Sequence, residues 1–184
     1  MARPAAVFLD RDGVLVRAIV RSGVPRPPAG LHELELLPGV ADACERLRSA
    51  GFILIVVTNQ PDVARGTMTP AQVEEINDAL RERLPLDEIV VCLHDDADAC
   101  ECRKPQPGML LAAAERWDVD VHASFLVGDR WRDIEAARRA GCCAIFVDLG
   151  YAESLRTDPD AVVGNLEEAA AWILRQVTTE AVAR

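Results

Sequence analysis

Two aspartates separated by one residue, Asp10 and Asp12, have the residue types and the spacing for catalysis. They follow an apolar run at 5–9, which is typical of a buried strand. In an extended segment, residues two apart point to the same side, so we expect both carboxylates to face one site while Arg11 turns aside. Two adjacent carboxylates repel each other, and Mg²⁺, which prefers oxygen ligands, would offset that repulsion. One carboxylate could then act as a nucleophile and the other as a general acid and base.

Three further polar elements each follow a predicted strand, which matters because Asp-x-Asp-Gly alone also occurs in turns and calcium loops. Thr58 and Asn59 could donate hydrogen bonds to a phosphate oxygen. Lys104 could place a fixed positive charge on a transferring phosphoryl group. Asp129 offers an acidic ligand for magnesium, and Asp133 offers a second carboxylate one helical turn later. Singly, these elements could be a turn, a solvated charge or a helix cap, but their shared placement predicts a magnesium-dependent phosphate site.

Four side chains that commonly bind zinc lie within the eleven residues of segment 92–102: Cys92, His94, Cys100 and Cys102. Three thiolates and one imidazole match the tetrahedral preference of structural zinc and leave no coordination position open for catalysis. The alternative is a loop of reduced cysteines without metal. We expect zinc to brace the loop that delivers Arg103 and Lys104.

The elements that must position these residues alternate between short apolar runs and amphipathic stretches. Strands are predicted at 5–9, 52–57, 89–93, 124–127 and 144–147. Helices are predicted at 40–50, 71–84, 108–117, 134–140 and 166–177. This alternation with right-handed crossovers predicts a doubly wound three-layer α/β sandwich with a mostly parallel sheet. Ligands of such folds bind outside the carboxyl ends of the strands, where the polar motifs fall.

The 184 residues are expected to form a single domain. Segment 13–37, rich in proline and glycine, is predicted to be a flap or hairpin over the site, with an ordinary exposed loop as the alternative. The spacing between the motifs leaves no room for a large inserted lid, so we expect a capless domain. The tail at 178–184 is expected to fray.

The charge balance of 20 Lys and Arg against 30 Asp and Glu gives a net charge of −10. This charge repels nucleic acids and anionic membranes at long range, so neither is an expected partner, whereas a small phosphorylated ligand is compatible with it. The N-terminal segment has no signal-peptide hydrophobic region, and no apolar run approaches the ~20 residues needed to cross a bilayer. The cysteines beside a histidine suggest a metal site in a reducing compartment. We therefore expect a cytoplasmic protein.

The four motifs of the haloacid dehalogenase-like phosphohydrolases are matched, in order, by Asp10-x-Asp12, Thr58, Lys104 and Gly128-Asp129-x-x-x-Asp133. The resemblance covers roughly residues 5–150. It implies that Asp10 is the nucleophile, Asp12 the general acid and base, and Lys104 a stabiliser of phosphoryl charge. It also implies that Asp10, the backbone carbonyl of Asp12 and Asp129 hold Mg²⁺, with help from Asp133 through water. Capless members of this superfamily are often monomers, so a monomer is expected.

A narrower resemblance is carried by Thr58-Asn59-Gln60, Ala64-Arg65-Gly66, Cys-x-His with Cys-x-Cys-Arg-Lys-Pro, and Pro107-Gly108-Met109-Leu110. In these segments the sequence is similar to the D-glycero-D-manno-heptose 1,7-bisphosphate phosphatases. That family removes the 7-phosphate and leaves the 1-phosphate for the next enzyme of nucleotide-heptose synthesis. By similarity, a small phosphorylated sugar would contact Thr58, Asn59, Arg65, Arg103 and Lys104.

Several positions depart from that family and leave alternatives open. Pro61-Asp62 stands where the family usually has Ser-Gly, and Val16 stands where it often has Asn. The five residues between the two pairs of zinc ligands make a short loop that is similar to that of the histidinol-phosphate phosphatases. A histidinol-phosphate phosphatase is therefore one alternative. A zinc-stabilised binding module with vestigial catalytic residues and a nucleic-acid 3′-phosphatase with an open site are two others.

Overall fold

The computed structural model of the protein describes residues 3–21 and 24–182. Its strands are β1 (Ala6–Leu9), β2 (Ile19–Arg21), β3 (Val24–Arg26), β4 (Ile53–Asn59), β5 (Glu88–Cys92), β6 (Phe125–Gly128), β7 (Cys143–Val147) and β8 (Ala161–Val163). Its α-helices are α1 (Val40–Ser49), α2 (Pro70–Arg83), α3 (Gly108–Arg116), α4 (Trp131–Ala140) and α5 (Leu166–Val182). All five predicted strands and all five predicted helices are present among these elements.

One six-stranded sheet in the order β5-β4-β1-β6-β7-β8 forms the centre of the fold, and all of its neighbouring strands are parallel. Each residue of β1 is buried, as expected for a strand covered on both faces. Alternate residues of β1 belong to different cores: Val7 and Leu9 pack with α1 and α5, whereas Ala6 and Phe8 pack with α3 and α4. The predicted three-layer α/β sandwich is therefore confirmed.

Helix α2 shows how local sequence sets an element boundary. Thr69 accepts a hydrogen bond from the Gln72 backbone N–H at 3.2 Å, and the Gln72 side chain accepts one from the Thr69 backbone N–H at 2.8 Å. Pro70 occupies the first helical position, where its missing N–H costs nothing. The capping box predicted from the sequence is thus present.

The structure differs from the predicted elements in three places. Helix α4 begins at Trp131 rather than at residue 134, because the charged pair Arg132 and Asp133 interrupts the amphipathic pattern of its first turn. Helix α5 reaches Val182, whereas the sequence pattern predicted an end at 177. Strand β8 was not predicted, because three residues at the sheet edge are too short for a recognisable pattern. Fraying over 178–184 stays a prediction, and residues 183–184 lie outside the described residues.

Segment 13–37 contains the antiparallel hairpin β2–β3 and a short 3₁₀ helix at Leu31–Glu33. The hairpin tip at 22–23 lies outside the described residues. Val16 forms isolated β-bridges with Asp12 and with Leu36, so both ends of the flap are hydrogen-bonded close to the predicted catalytic aspartates. Among the described residues there is no inserted cap domain, and no helix is long and apolar enough to cross a bilayer.

Candidate active site

The polar residues that follow three neighbouring strands meet at one edge of the sheet. β1 lies between β4 and β6, so the carboxyl ends of these three strands are adjacent. Asp10 follows β1, Thr58 and Asn59 end β4, and Asp129 follows β6. Asp10, Asn59 and Asp129 line a cavity of about 270 Å³, near the lower end of the ~300–1,000 Å³ range of small-molecule sites.

We call four buried charged residues that line this cavity the inner end: Asp10, Lys104, Asp129 and Asp133. Lys104 Nζ donates hydrogen bonds to Asp10 Oδ1 and to the Val57 carbonyl, each at 2.7 Å. It also forms an ion pair with Asp133 Oδ1 at 2.6 Å. Lys104 thus joins residues from three distant chain segments, and its charge lies beside the predicted nucleophile.

The three carboxylates of the inner end outnumber its one ammonium group. Oxygens of Asp10, Asp129 and Asp133 lie within 4.8 Å of one another. Burial raises the pKa of Asp10 to about 7, even though the Lys104 ammonium group lowers it. Burial and the neighbouring Asp10 carboxylate raise the pKa of Asp129 well above its usual range. Burial is the larger cause of both shifts and the neighbouring carboxylates add to it, and a bound cation would favour the ionised form of both groups.

The donor set of this cluster fits magnesium. Asp129 Oδ1 is buried and has no hydrogen-bond partner among the described residues. Such an oxygen is normally satisfied by a partner or an ion, and carboxylate oxygens are the ligands that Mg²⁺ takes. The Asp12 side chain is not part of the cluster, so a contact of its backbone carbonyl with the metal stays a prediction.

Asp10 and Asp12 both line the cavity and Arg11 does not, so the expectation that the two carboxylates face one site while Arg11 turns aside is confirmed. The Arg11 side chain is fully buried and donates to both carboxylate oxygens of Asp12, with Nε to Oδ1 at 3.2 Å and Nη2 to Oδ2 at 3.1 Å. Arg11 Nη1 also donates to Asn77 Oδ1 at 3.0 Å. The chain turns after β1, where the backbone N–H groups of Leu15 and Val16 donate to the Arg11 carbonyl, and the contact of Arg11 with Asp12 forms at this turn.

Gln60 also holds Asp12 and was not predicted as a site residue. Its Nε2 donates to Asp12 Oδ2 at 2.7 Å and to Thr58 Oγ1 at 2.8 Å. The amide therefore links the predicted general acid to the hydroxyl predicted to contact phosphate. The only sequence signal for Gln60 was its place directly after Thr58 and Asn59.

Asn59 acts on the backbone of Lys104. Its Nδ2 donates to the Lys104 carbonyl and its Oδ1 accepts from the Lys104 N–H, both at 3.0 Å. This paired contact fixes the loop segment that carries the lysine. Direct contacts of Thr58 and Asn59 with phosphate stay predictions.

Gly13 is required by its close approach to a predicted metal ligand. Its φ is +97°, which side chains of L-residues rarely adopt. A Cβ atom built there would lie 2.0 Å from Asp129 Oδ2. The glycine after Asp12 therefore allows the first and last motifs to come together.

The predicted zinc ligands converge. Cys102 Sγ lies 3.2 Å from Cys92 Sγ, 3.3 Å from Cys100 Sγ and 3.3 Å from His94 Nδ1. Ligands at the ~2.0–2.3 Å expected for tetrahedral zinc would be separated by similar or slightly larger distances. The four side chains therefore fit one zinc ion.

We call three arginines that line the cavity, with two carboxylates that pair with them, the mouth: Arg65, Arg103, Arg132, Asp95 and Asp96. Of the two carboxylates, Asp96 lines the cavity and Asp95 does not. Arg65 donates to both oxygens of Asp95 at 2.7 and 2.8 Å. Arg103 and Arg132 both donate to Asp96 Oδ1, at 2.8 and 2.7 Å. Arg65 and Arg103 were predicted to contact substrate, whereas Arg132 was missed although it directly precedes Asp133.

Comparisons with known proteins agree with this geometry. Residues 24–141 match the model of the haloacid dehalogenase-like hydrolases. The chain is 36% identical, over 94% of its length and 89% of the relative's, to D-glycero-beta-D-manno-heptose-1,7-bisphosphate 7-phosphatase of Escherichia coli K12. It is also 36% identical to D-glycero-D-manno-heptose-1,7-bisphosphate 7-phosphatase of Thermosynechococcus vestitus, over 94% and 96% of the two chains.

A solved structure is similar over nearly the whole chain. It is the D,D-heptose 1,7-bisphosphate phosphatase of B. bronchiseptica complexed with magnesium and phosphate. Its TM-score is 0.81 at 33% identity, and the match covers 94% of this chain and 99% of that one. The motifs meet at one edge of the sheet, and the similarity to these relatives extends over most of the chain. The chain therefore belongs to the haloacid dehalogenase-like hydrolase family.

Proposed function

We propose that the protein is a Mg²⁺-dependent phosphatase that removes the 7-phosphate of D-glycero-D-manno-heptose 1,7-bisphosphate. The observation that carries the proposal is the inner end of the cavity, where a buried lysine joins Asp10 to Asp133 beside Asp129. The similarity to heptose bisphosphate phosphatases over 94% of the chain supports the choice of substrate.

The proposed reaction has two steps at phosphorus. Asp10 attacks the phosphoryl group and forms an aspartyl-phosphate, while Asp12 gives its proton to the departing sugar oxygen. Asp12 then takes a proton from water as the water attacks the same phosphorus, which releases phosphate and restores Asp10. Arg11 and Gln60 hold the Asp12 carboxylate throughout, through hydrogen bonds of 2.7–3.2 Å.

Lys104 has the role of a fixed charge. Its ammonium group is buried and held at 2.7 Å from Asp10, so it stabilises negative charge close to the nucleophile. Asp10, Asp129 and Asp133 would hold Mg²⁺ directly or through water, together with the Asp12 carbonyl. When bound, the ion would supply positive charge for the phosphoryl oxygens and offset the repulsion among the carboxylates.

We infer that zinc occupies the cluster of three cysteines and His94 as a structural ion. The loop that follows the cluster carries Arg103 and Lys104 into the cavity. Arg103 Nη1 donates to the His94 carbonyl at 3.3 Å, so the metal-bound loop directly supports one cavity residue. Cytoplasmic location and a monomeric state stay predictions from the sequence.

The test is phosphate release with Mg²⁺ from a panel of substrates: both heptose 1,7-bisphosphate anomers, histidinol phosphate, fructose 1,6-bisphosphate and 3′-phosphorylated DNA. We expect one heptose bisphosphate to be preferred by ~100-fold in kcat/KM, about 2.7 kcal/mol of discrimination. Preference for histidinol phosphate, which the short metal loop favours, would keep the mechanism and change the substrate. Release from none of them would overturn the proposed activity.

A further inference from the structure

Arg11 is a buried cation whose guanidinium group has partners on two sides. On one side, Nε lies 3.2 Å from Asp12 Oδ1 and Nη2 lies 3.1 Å from Asp12 Oδ2. On the other side, Nη1 donates to Asn77 Oδ1 at 3.0 Å. Buried polar groups need hydrogen-bond partners, so Asn77 completes the surroundings of the arginine that contacts the predicted general acid.

Asn77 belongs to α2, 66 positions along the chain from Arg11, and it is also fully buried. Val73 and Ile76 of the same helix pack in a small core against Val91 of β5, so the helix is held on the sheet. Because a guanidinium group has only donors, an apolar residue at position 77 would leave Arg11 Nη1 without a partner in the protein interior. Helix α2 contributes no residue to the cavity lining, and this amide gives it a contact with the site.

The two carboxylate oxygens of Asp12 are not equivalent. Oδ2 accepts from Gln60 Nε2 at 2.7 Å and from Arg11 Nη2 and Nε at 3.1 and 3.3 Å. Among the described residues, Oδ1 accepts one hydrogen bond, from Arg11 Nε at 3.2 Å. A carboxylate oxygen has two lone pairs, so Oδ1 keeps one for a proton while Oδ2 is fully used. Asp12 lines the cavity, which makes Oδ1 the oxygen that can exchange a proton with a ligand there.

We propose that Asn77 is a positioning residue for the general acid and base, and that it acts through Arg11. Asn77 holds Arg11, and Arg11 together with Gln60 holds Asp12 Oδ2, so the carboxyl group keeps one orientation. The inference rests on the proposed function, because it requires a leaving oxygen that takes a proton. In the first step the Oδ1–H bond breaks as the sugar oxygen leaves phosphorus and takes that proton. In the second step Oδ1 takes a proton from the attacking water.

The test compares two leaving groups on the full-length enzyme with Mg²⁺. Heptose 1,7-bisphosphate has a sugar oxygen that must be protonated as it leaves, whereas 2,4-dinitrophenyl phosphate releases a stable anion that needs no proton. Single turnovers with enzyme in excess are followed by phosphate release for the first substrate and by the absorbance of dinitrophenolate for the second.

For Asn77→Leu we expect the rate for the bisphosphate to fall by roughly 10–100-fold, part of the ~10²–10⁴-fold that general acid and base catalysis contributes. Dinitrophenolate release should change by less than about threefold, because Asp10 and Lys104 still carry out the attack on phosphorus. A purely structural role of Asn77 would slow both substrates alike.

Three further variants separate orientation from folding. Asn77→Asp keeps an oxygen acceptor for Arg11 and should recover most of the lost rate. Leu80→Ala removes a fully buried apolar side chain from the same helix, so it should lower stability and leave the ratio of the two rates unchanged. If Asn77→Leu does not fold, Asn77→Ser, whose shorter side chain withdraws the acceptor from Arg11, takes its place with the same expected pattern.

The outcomes separate this inference from the proposed function. Equal losses on both substrates in Asn77→Leu, or no loss on either, would overturn the role of Asn77 and leave the proposed function standing. The proposed function has its own check in Asp12→Asn, which should lose turnover of the bisphosphate and keep dinitrophenolate release. Full activity of Asp12→Asn on the bisphosphate would mean that Asp12 is not the general acid, and would overturn both.

Discussion

The inner end of the cavity and its mouth are both built from ion pairs, but water reaches them to different degrees. Asp10 and Asp133 at the inner end have side chains that are 11% and 2% exposed, whereas Arg65 and Asp96 at the mouth are 42% and 57% exposed. Arg103 is the buried member of the mouth, at 10%. The inner end holds three carboxylates and one ammonium group, while the mouth holds three guanidinium groups and two carboxylates. The inner end thus has an excess of negative charge, whereas the charges at the mouth nearly balance, because Asp62 also pairs with Arg65.

The contrast indicates where a charged pair can affect stability and where it can affect only binding. Buried charges that lose a partner cannot be solvated, so each change at the inner end should alter folding as well as turnover. At the mouth, solvent screens the same kind of pair, so a change should affect substrate binding with little effect on folding. Four substitutions test this contrast, beginning at the buried inner end of the cavity and ending at its mouth.

The largest effect is expected from Asp10→Asn. The amide cannot attack phosphorus, so phosphate release should fall by at least about 10³-fold, while weak binding of Mg²⁺ and phosphate persists. Phosphate release measures the first result, and calorimetric titration measures the second. The control is Asp42→Asn on the exposed side of α1. Turnover retained in Asp10→Asn would remove Asp10 from the nucleophile role.

Lys104→Met tests the inner end as a buried ion network. Without the ammonium group, three carboxylates lie together with no cation, so the free energy of unfolding without Mg²⁺ should fall by about 3–5 kcal/mol. Added Mg²⁺ should restore part of the loss. Urea denaturation followed by circular dichroism measures both effects.

A matched variant for this test is Arg81→Met, which removes a cation that pairs with Glu74 and Asp78 on the surface of α2. Its loss should stay below about 1 kcal/mol. Equal losses for Lys104→Met and Arg81→Met would contradict the distinction between buried and exposed pairs.

Cys100→Ser tests whether the loop at the mouth depends on metal. We expect loss of bound zinc and a decrease of about 2–3 kcal/mol in the free energy of unfolding, with turnover impaired indirectly through Arg103 and Lys104. Elemental analysis and thermal unfolding are the measurements, with Cys143→Ser as the control that keeps zinc. Full zinc content in Cys100→Ser would show that the cluster is not the zinc site.

Arg65→Gln should have the smallest effect on folding. Its ion pair with Asp95 is exposed, so the free energy of unfolding should change by less than about 1 kcal/mol. Because Arg65 lines the cavity, kcat/KM for the bisphosphate should still fall by a few-fold, roughly 3–10. A large loss of stability in Arg65→Gln would mean that ion pairs at the mouth stabilise the fold as strongly as those at the inner end.

Most of the fold could be predicted because the signals are local. A parallel strand covered on both faces must be apolar at nearly every position, and β1, β4 and β6 are. The start of α2 is encoded in four consecutive residues, 69–72. The cysteine and histidine spacing predicted a cluster because all four ligands lie in one short loop. In each case, the interacting residues are close in the sequence.

The residue types of the site can be read from the amino-acid sequence alone: the carboxylates at 10, 12, 129 and 133, the lysine at 104 and the ligands of the metal loop. The partners of these residues depend on the three-dimensional fold. The strand order brings Lys104 to Asp10 and Asp133, the turn after β1 directs Arg11 onto Asp12, and the loop after β5 brings Asp96 to Arg132. Hydrogen bonds and ion pairs depend on the distance between two groups in space, and most of these partners come from elements that are far apart in the sequence. The contact between Arg11 and Asp12 forms at a turn, where the alternation of side chains along a strand no longer applies.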